Sequence, residues 1–355
     1  MKTLDYQTTP EIQKVIAAVA RTEDVKFSSD GKYFAIVDFT KNKVHIFEIK
    51  IADSSLQQKL EIVSCVTISS EHLKRPHGLI FVGDKHFLVA NRAGDITIFK
   101  FPEAFSGQTD INLMPVRFVR GRRFYGKISS PGSIGCYQIG ENSYRLLVLN
   151  NYLHTIVGFD IKISEKIQIK NRGVLIKKGL DIPDGISISP NKKWAAVSNH
   201  YTGSVLIYRL SPFLNRFTSA AGTLIDIAYP HGLRFSADGK KLFVADAGSQ
   251  YLHVYESDNE DWSGTHKPLK SIKLVDKAAF LKGRINTEEG GLKGLDLINN
   301  DQLLVTTAQH QVLKFYAVNA LLDIPISSVE QYLVKEKMKY YRALEKGVRP
   351  EPENE

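Results

Sequence analysis

One short pattern returns six times along this chain of 355 residues. Each copy begins with a polar residue, which is usually followed by a Gly and then by an apolar residue. A tight turn comes next, and after it an apolar strand that ends in Asp, Asn or Thr. The clearest copy runs through residues 230–235, the turn 236–239 and the strand 242–246. Period-2 strands joined by Asp-Gly turns predict hairpins, and their return at a similar spacing predicts a repeat architecture.

The copies begin near residues 24, 77, 132, 184, 231 and 293. Each copy supplies three strands, and the interval after it has room for a fourth. Four antiparallel strands per unit, repeated around an axis, describe a β-propeller, which protects its sheet edges by closing into a ring. We therefore predict an all-β, six-bladed propeller with four-stranded blades over residues 1–320.

The sixth copy is followed by a helical pattern and has no obvious fourth strand. The apolar stretch 12–19, which precedes the first copy, is available to supply it. We expect this N-terminal strand to pair with the strand near 312–315 and so to close the ring.

Residues 321–355 differ in kind from the repeats. A capping box at 328–331 begins a predicted C-terminal helix, which Gly347 and Pro350 end. The apolar residues at helical spacing are Val329, Leu333, Tyr340 and Leu344. An acidic tail at 351–355 follows, and we expect it to be frayed.

Bulk composition limits the class of protein. The chain is 43% hydrophobic and 24% charged, as soluble globular proteins are. No apolar run approaches the ~18 residues of a membrane span, and no secretory signal is visible, so we expect a cytoplasmic protein without a membrane partner. The formal net charge of +9 favours anionic partners in general.

The residues just before each Gly-apolar pair are the first candidates for chemistry. In a propeller they begin the innermost strands and should point toward one mouth of the central channel. They are Asp24, His77, Gly132, Asp184, His231 and Lys293. Carboxylates, imidazoles and an ammonium group brought together in this way suit a metal or acid–base site. The alternative is a wet channel whose polar side chains bind backbone or water.

A second ring is predicted at the ends of the next strands, at Asp38, Asn91, Asn150, Asn199, Asp246 and Thr307. These residues either line the channel, as Lys293 would, or cap the following turn through side-chain hydrogen bonds to the backbone. His200, beside Asn199, is the neighbour best suited to a chemical role.

A basic and aromatic stretch lies outside both rings. Arg117, Arg120, Arg122, Arg123 and Lys127 alternate with Phe118, Phe124 and Tyr125. Arg120, Arg122 and Arg123 are candidates for binding an anion, as in a groove for RNA or a phosphorylated ligand. The alternative is an exposed outer strand and loop that carry solvated charge.

The fifth copy, at 230–246, resembles an NHL repeat. It is similar as well to the blades of gluconolactonase-like (SMP-30-like) and strictosidine-synthase-like six-bladed propellers, over about residues 12–318. The gluconolactonase resemblance implies a divalent metal, commonly calcium, held by a Glu, an Asn and an Asp. Matching strand starts here carry Asp184 and His231, with Asp24 near the acidic first ligand. Propeller lyases of the amidating type instead hold zinc with histidines, a pattern to which His77 and His231 are similar.

Two functions from different classes follow. The first is a lactonase-like, metal-assisted hydrolase or lyase acting on a small polar substrate at the channel mouth, with His77, His231 and Asp184 catalytic. Calcium or zinc would be held by Asp24, Asp184 and His231. The second is a non-catalytic, NHL-type propeller that binds a protein or nucleic acid. Fold analogy alone does not choose between them.

Overall fold

The computed structural model describes residues 3–325 apart from 55, 56, 103, 104, 285, 287 and 299. The first elements along the chain are β1 (Tyr6–Thr8), α1 (Pro10–Ala18), β2 (Thr22–Phe27), β3 (Tyr33–Asp38), β4 (Lys43–Ser54), β5 (Gln57–Ser69), β6 (Pro76–Val82), β7 (His86–Asn91), β8 (Ile96–Lys100), β9 (Gly107–Asn112) and β10 (Arg117–Val119). The middle of the chain forms β11 (Pro131–Gly140), β12 (Ser143–Asn150), β13 (Thr155–Lys162), β14 (Gln168–Ile176), β15 (Pro183–Ile188), β16 (Trp194–Asn199), β17 (Ser204–Arg209) and β18 (Gly222–Leu224). The last elements are β19 (Pro230–Phe235), β20 (Lys241–Asp246), β21 (Tyr251–Glu256), β22 (Gly264–His266), β23 (Lys270–Lys273), α2 (Lys277–Gly283), β24 (Leu292–Ile298), β25 (Leu303–Ala308), β26 (Gln311–Ala317) and α3 (Val318–Leu322).

These strands form six sheets arranged as a ring. From the centre outward the blades are β2-β3-β4-β5, β6-β7-β8-β10, β11-β12-β13-β14, β15-β16-β17-β18, β19-β20-β21-β23 and β24-β25-β26. The first strand of each blade contacts the first strands of both neighbouring blades, and β2 contacts β24. The structure therefore confirms the six-bladed propeller. Three short strands extend the blade edges in parallel: β1 and β9 on β5, and β22 on β18.

Apolar side chains fill the space between blades. Each pair of adjacent blades encloses one buried hydrophobic cluster, and the described residues form six such clusters. Alternate residues of one strand face different clusters: Phe34 and Ile36 of β3 lie between blades 1 and 6, and Ala35 and Val37 lie between blades 1 and 2. The core of the molecule is thus distributed around the axis, which leaves the centre to polar groups.

The N-terminal closing strand was predicted wrongly. Residues 10–18 form the helix α1, which Pro10 begins and Thr9 caps by accepting a hydrogen bond from the Ile12 amide. Ile12 and Ile16, four residues apart, bury one face of α1 in the cluster between blades 1 and 6. A Thr-Pro start and this spacing favour a helix over a strand of the same composition.

The ring closes instead by packing between β2 and β24. Asp296 Oδ2 accepts a hydrogen bond from the Phe27 amide at 2.8 Å, across the interface between blades 6 and 1. Among the described residues, the N-terminal segment shares one isolated β-bridge with the last blade, in which the Leu4 amide donates to the Phe315 carbonyl at 2.9 Å, and the Tyr6 ring packs edge-on against Phe315. Blade 6 has three strands among the described residues, so the four-stranded prediction fails for that blade.

Blade 5 contains a buried polar network that resembles a catalytic triad in composition, and blade 1 contains a buried His–Thr pair. In blade 5 the His253 ring joins Ser271 Oγ at 2.8 Å and Asp246 Oδ2 at 3.2 Å. In blade 1 His45 joins Thr67 Oγ1 at 3.1 Å. The side chains of His253 and Asp246 are inaccessible to solvent, so this network fastens strands together and does not meet a substrate.

The described part of the chain ends at residue 325, shortly after blade 6. The predicted helix beginning at 328 lies outside the described residues, although the short helix α3 directly follows β26. Cys65 and Cys136 are free thiols. Within the described part of the chain, no helix has the length and apolar character needed to cross a bilayer.

Candidate active site

The second residue of each innermost strand lies at one mouth of the channel. These six positions hold Glu23, His77, Gly132, Asp184, His231 and Lys293. The register defines them, because the residue before each one pairs with the end of the second strand in its blade. The structure thus brings together the predicted residues His77, Asp184, His231 and Lys293.

Asp24 does not belong to this ring, and Glu23 takes its place. Thr22 pairs with Asp38 as Pro230 pairs with Asp246, which aligns Glu23 with His231. The signal was present in the sequence, since fifteen residues separate Glu23 from Asp38, as they separate His231 from Asp246. Sequence reasoning missed it because Asp24 occupies the position that is Gly in most other copies.

The Asp24 carboxylate joins blade 1 to blade 2. Its Oδ2 accepts a hydrogen bond from the Leu79 amide at 3.0 Å, and its Oδ1 lies 2.8 Å from Lys26 Nζ. Burial raises the pKa of Asp24 despite these partners. The side chain thus bridges two blades, and no cluster with metal-ligand spacing among the described residues includes it.

Asp184 is the centre of the site. Its Oδ1 accepts hydrogen bonds from Arg92 Nη2 at 2.7 Å and Asn151 Nδ2 at 2.6 Å. Its Oδ2 lies 3.0 Å from His231 Nε2 and 3.5 Å from His200 Nε2. Burial alone would raise the pKa of Asp184, but the three histidines and Arg92 hold it well below its usual range. The carboxylate is therefore ionised at neutral pH.

Glu23 is the second buried carboxylate. Its Oε2 lies 2.9 Å from Lys293 Nζ, 3.4 Å from His231 Nε2 and 3.6 Å from His77 Nε2. Arg21 contacts the other oxygen, Oε1. Burial opposes ionisation, yet Lys293 and the other cationic neighbours hold the pKa of Glu23 well below its usual range. Lys293 also contacts Glu289 Oε2 at 2.6 Å, so one ammonium joins two carboxylates.

His77 and His200 are held neutral. His77 Nδ1 donates to the Gly132 carbonyl at 2.8 Å while Nε2 accepts from Arg92 Nη2 at 2.9 Å. This arrangement fixes the neutral tautomer, and burial with the nearby Arg92 lowers the pKa of His77 to about 3. Burial likewise lowers the pKa of His200 to about 4. No described residue hydrogen-bonds His200 Nε2, although that atom is buried.

His231 is held protonated. Burial would lower the pKa of His231, but Asp184 and Glu23 outweigh it and raise the pKa to about 9. Its ring lies 5.6 Å from that of His77 and 5.5 Å from that of His200, measured between centroids. The imidazolium of His231 and the neutral ring of His77 therefore lie beside both Glu23 and Asp184, and the neutral ring of His200 lies beside Asp184.

A second layer of side chains comes from the residues just after the second strands. Arg92, Asn151 and His200 follow Asn91, Asn150 and Asn199 directly, and all three lie against Asp184. His200 was predicted from this position, but Arg92 and Asn151 were missed. Both residues occupy the same repeat position as His200, so that position was a signal for them in the sequence. Arg21 and Glu289 were also missed, and they lie in connecting segments that the repeat does not specify.

The strand-end residues themselves serve the fold. Asn91, Asn150 and Asn199 accept hydrogen bonds from the amides of Lys74, Ser129 and Asp181 at 2.9, 2.9 and 2.6 Å. Asp246 accepts from the amides of Ala228 and Tyr229 at 3.1 and 2.8 Å. Each side chain fastens its strand to the segment that leads into the same blade's first strand. The prediction that these four residues line the channel is corrected accordingly.

Gly132 is the ring member without a side chain, and the space beside it is occupied by the side chains of Asn151 and Asp184. A Cβ atom at this position would lie 2.2 Å from Asn151 Oδ1 and 2.6 Å from Asp184 Oδ1. Both distances are far below van der Waals contact, so the site geometry requires Gly here.

The cavity among Glu23, His77, Asp184 and His231 has a volume of about 10 Å³. That is near the minimum that one water molecule needs. Two sets of buried ligand atoms lie within 4.8 Å of one another: Glu23, His77 and His231, and Asp184, His200 and His231. In the second set, Asp184 Oδ2 faces His231 Nε2 at 3.0 Å, and His200 Nε2 is buried without a hydrogen-bond partner among the described residues.

These donors fit zinc and do not fit calcium. Two imidazoles and one carboxylate form a ligand set that catalytic zinc sites use, with a further position open. Calcium takes six or more oxygens, and the cluster offers too few oxygens that are not already bound to cations.

The fold and site together define a six-bladed propeller with a buried acid–imidazole cluster at one channel mouth. A profile of the family described as "Lactonase, 7-bladed beta-propeller" matches residues 5–278, and the chain belongs to this family. The family description names seven blades, whereas the described residues of this chain form six. The membership supports a lactonase-like hydrolase in general. The likeness to NHL and SMP-30 propellers stays a prediction.

Solved structures support the fold. A functionally unknown protein from Desulfotomaculum acetoxidans superposes with a TM-score of 0.55 at 14% identity, covering 84% of this chain and 83% of that one. A protein from Bacteroides uniformis, provisionally named a 6-phosphogluconolactonase, superposes with a TM-score of 0.51 at 13% identity, covering 86% and 83%. No curated protein matches the chain in sequence. At these identities the likeness extends to the fold alone.

Proposed function

We propose that the protein is a lactonase-like hydrolase that opens a small cyclic ester at the channel mouth. The observation that carries this proposal is the division of protonation among three imidazoles around Asp184. His231 has a raised pKa, and His77 and His200 have lowered ones. Groups whose environments separate their pKa values in this way are suited to acid and base roles in one reaction.

His231 is the proposed general acid. Opening a lactone releases an alkoxide, which needs a proton as the carbon–oxygen bond breaks. His231 carries that proton on Nε2, between Asp184 Oδ2 at 3.0 Å and Glu23 Oε2 at 3.4 Å. The two carboxylates stabilise the imidazolium until the proton is transferred.

His200 is the proposed general base. It is neutral, and its buried Nε2 has no hydrogen-bond partner in the described structure. That lone pair is available to take a proton from an attacking water. The low pKa makes His200 a weak base, so its contribution rests on the short distance to a positioned water.

Arg92 is the proposed stabiliser of the developing oxyanion. Its guanidinium uses Nη2 for both His77 and Asp184, and Nε and Nη1, which have no hydrogen bond to a described residue, face the proposed substrate oxygen. The side chain is 17% exposed, more than those of the three histidines, so it lies nearest to solvent. His77 positions Arg92 and does not itself need to meet the substrate.

We further propose that Asp184, His200 and His231 can hold a divalent ion of the zinc type. When bound, such an ion would polarise the ester carbonyl or lower the pKa of a bound water. His231 has to release its proton before it can act as a ligand, so proton and ion compete for the same nitrogen. Asp24, predicted as a ligand, lies outside this set.

The test is turnover of a panel of γ- and δ-lactones, followed by acid release, with added zinc and with a chelator. The wild type should hydrolyse at least one lactone, and His231→Ala should lose about 100-fold or more of kcat. His86→Ala changes a half-buried histidine of β7 outside the cluster and is the matched control. Equal activity of His231→Ala and wild type, or no turnover of the whole panel, would leave the non-catalytic binding propeller as the better account.

A further inference from the structure

A basic and aromatic surface lies apart from the buried cluster. It consists of residues 117–127, here called the basic segment, which includes β10 and the start of the loop to β11. Arg117, Arg120, Arg122, Arg123 and Lys127 are all exposed. Of these five cations, only Arg120 has an ion pair in the described structure, with Asp95 at 3.2 Å. The segment thus presents four cationic groups that no described carboxylate neutralises.

Exposed aromatic rings accompany these cations. Phe124 is 93% exposed and Tyr125 is 54% exposed. The Arg123 guanidinium lies 5.3 Å from the centre of the Phe124 ring, and the Arg120 guanidinium lies 4.8 Å from that of Phe118. A partner that covers these rings removes apolar surface from water, and a flat face beside a guanidinium suits a stacked base.

The backbone of the basic segment is fixed. Asn171 Nδ2 donates to the Tyr125 carbonyl at 3.1 Å, and Asn150 Nδ2 donates to the Lys127 carbonyl at 2.8 Å. Gly126 has a φ of +69°, and a Cβ there would lie 2.6 Å from Asn171 Oδ1. The side chains are therefore displayed from an ordered support, which lowers the entropy cost of binding.

A groove of about 330 Å³ runs beside the segment. It is lined by Arg117, Arg120 and Arg122 on one side and by Phe159, Ile169 and Asn171 on the other. Its wall combines guanidinium groups with apolar surface and one amide. Phosphate and the flat edge of a base match these two kinds of surface.

We propose that the basic segment and its groove bind single-stranded nucleic acid, with the arginines on phosphates and Phe124 stacked on a base. The net charge of +9 adds long-range attraction for such a strand. Single strands fit better than duplex, because stacking on Phe124 requires an unpaired base face. This proposal does not depend on lactone hydrolysis.

The experiment is fluorescence anisotropy with a labelled oligouridylate of about twelve nucleotides, a length within the site sizes of single-strand binders. Phe124→Ala should weaken binding about tenfold without changing its salt dependence. Arg122→Ala/Arg123→Ala should weaken binding and reduce the slope of log affinity against log salt by about 0.7 for each phosphate that the variant no longer neutralises.

The matched control is Arg216→Ala/Phe217→Ala. Arg216 and Phe217 form another exposed pair, 5.6 Å from guanidinium to ring centre, in the loop between β17 and β18. That loop lies at the opposite end of its blade from the basic segment's loop. These substitutions should leave affinity unchanged.

Three outcomes would overturn the proposal. The first is no binding of the oligonucleotide at moderate salt. The second is equal competition by heparin or duplex together with no effect of Phe124→Ala, which would indicate a general polyanion surface. The third is full competition by uridine monophosphate at the same nucleotide concentration, which would indicate a small nucleotide pocket.

Discussion

At the scale of single residues, the site depends on charge balance inside the protein. Glu23, Asp184 and Glu289 face Lys293, Arg92 and Arg21, and His231 adds a proton between the two deepest carboxylates. Removing one member of such a buried set leaves an uncompensated charge, which is more costly than breaking a surface pair.

Lys293→Met tests this balance. We expect it to lower the free energy of unfolding by about 3–5 kcal/mol, because Glu23 and Glu289 lose their shared cation. Lys241→Met removes a comparable ion pair with Glu256, at 2.6 Å on the surface, and should cost about 0–1 kcal/mol. Urea denaturation measures the free energy of unfolding of both variants. Equal losses would show that Lys293 is not needed to balance the buried charges of Glu23 and Glu289.

Gly132→Ala tests the packing of the same site. The new Cβ would overlap Asn151 and Asp184, so we expect a loss of lactone turnover together with destabilisation by about 1–3 kcal/mol. Gly140→Ala in the same strand is the control, since its nearest neighbour would be Ser143 Cβ at 3.7 Å. Thermal unfolding and turnover should separate the two variants; normal turnover in Gly132→Ala would contradict the geometry.

At the scale of elements, the repeat predicted most of the fold and about half of the site. Hairpin period and turn chemistry located six blades, since they are local properties of each copy. They failed at α1, where a Thr-Pro start and the Ile12–Ile16 spacing favoured a helix. Glu23 was missed because blade 1 lacks the usual Gly, and Glu289 because its ion pair with Lys293 depends on a connecting segment that the repeat leaves unspecified.

The helix α1 should stabilise the junction between blades 1 and 6. Ile12→Ala is expected to cost about 2–5 kcal/mol, because Ile12 is fully buried in that cluster. Lys14→Ala, on the exposed face of the same helix, should change stability by less than about 0.5 kcal/mol. Denaturant unfolding of both variants checks this, and equal stabilities would mean that α1 does not contribute to closure.

The hydrogen bonds that Asp246 accepts in blade 5 predict that the stability of the folded protein depends on pH. Burial opposes ionisation, but hydrogen bonds from His253, Ser249 and Tyr229 outweigh it and lower the pKa of Asp246 in the folded state. Because folding lowers this pKa, ionised Asp246 stabilises the folded protein at pH values above the unfolded pKa, which is near 3.9. That stabilisation is lost as the pH falls through the pKa of the folded state.

Asp246→Asn removes this titration while keeping an oxygen acceptor, as Asn91, Asn150 and Asn199 do in other blades. The wild type should therefore lose its stability advantage over Asp246→Asn as pH falls below about 4. Thermal melts across pH 3–7 provide the measurement. A constant difference between the two proteins would show that Asp246 does not titrate in this range.

At the scale of the whole molecule, the ring brings the six strand starts together with residues that follow the second strands, such as His200, in one site. Each blade contributes few chemical groups, and only their arrangement around a shared axis places three imidazoles and two carboxylates together. The same arrangement buries apolar surface between blades, so the scaffold does not depend on the polar centre for its core. The basic segment lies on the connection between blades 2 and 3, outside the buried cluster.

The most direct test of the central claim is a crystal structure with the open-chain hydroxy acid product of the best lactone in the panel. We expect the product at the channel mouth, with its carboxylate within hydrogen-bond distance of Arg92 and its hydroxyl directed toward His231 and His200. Product bound at another surface, in a protein that turns the lactone over, would contradict the assignment of this cluster as the active site.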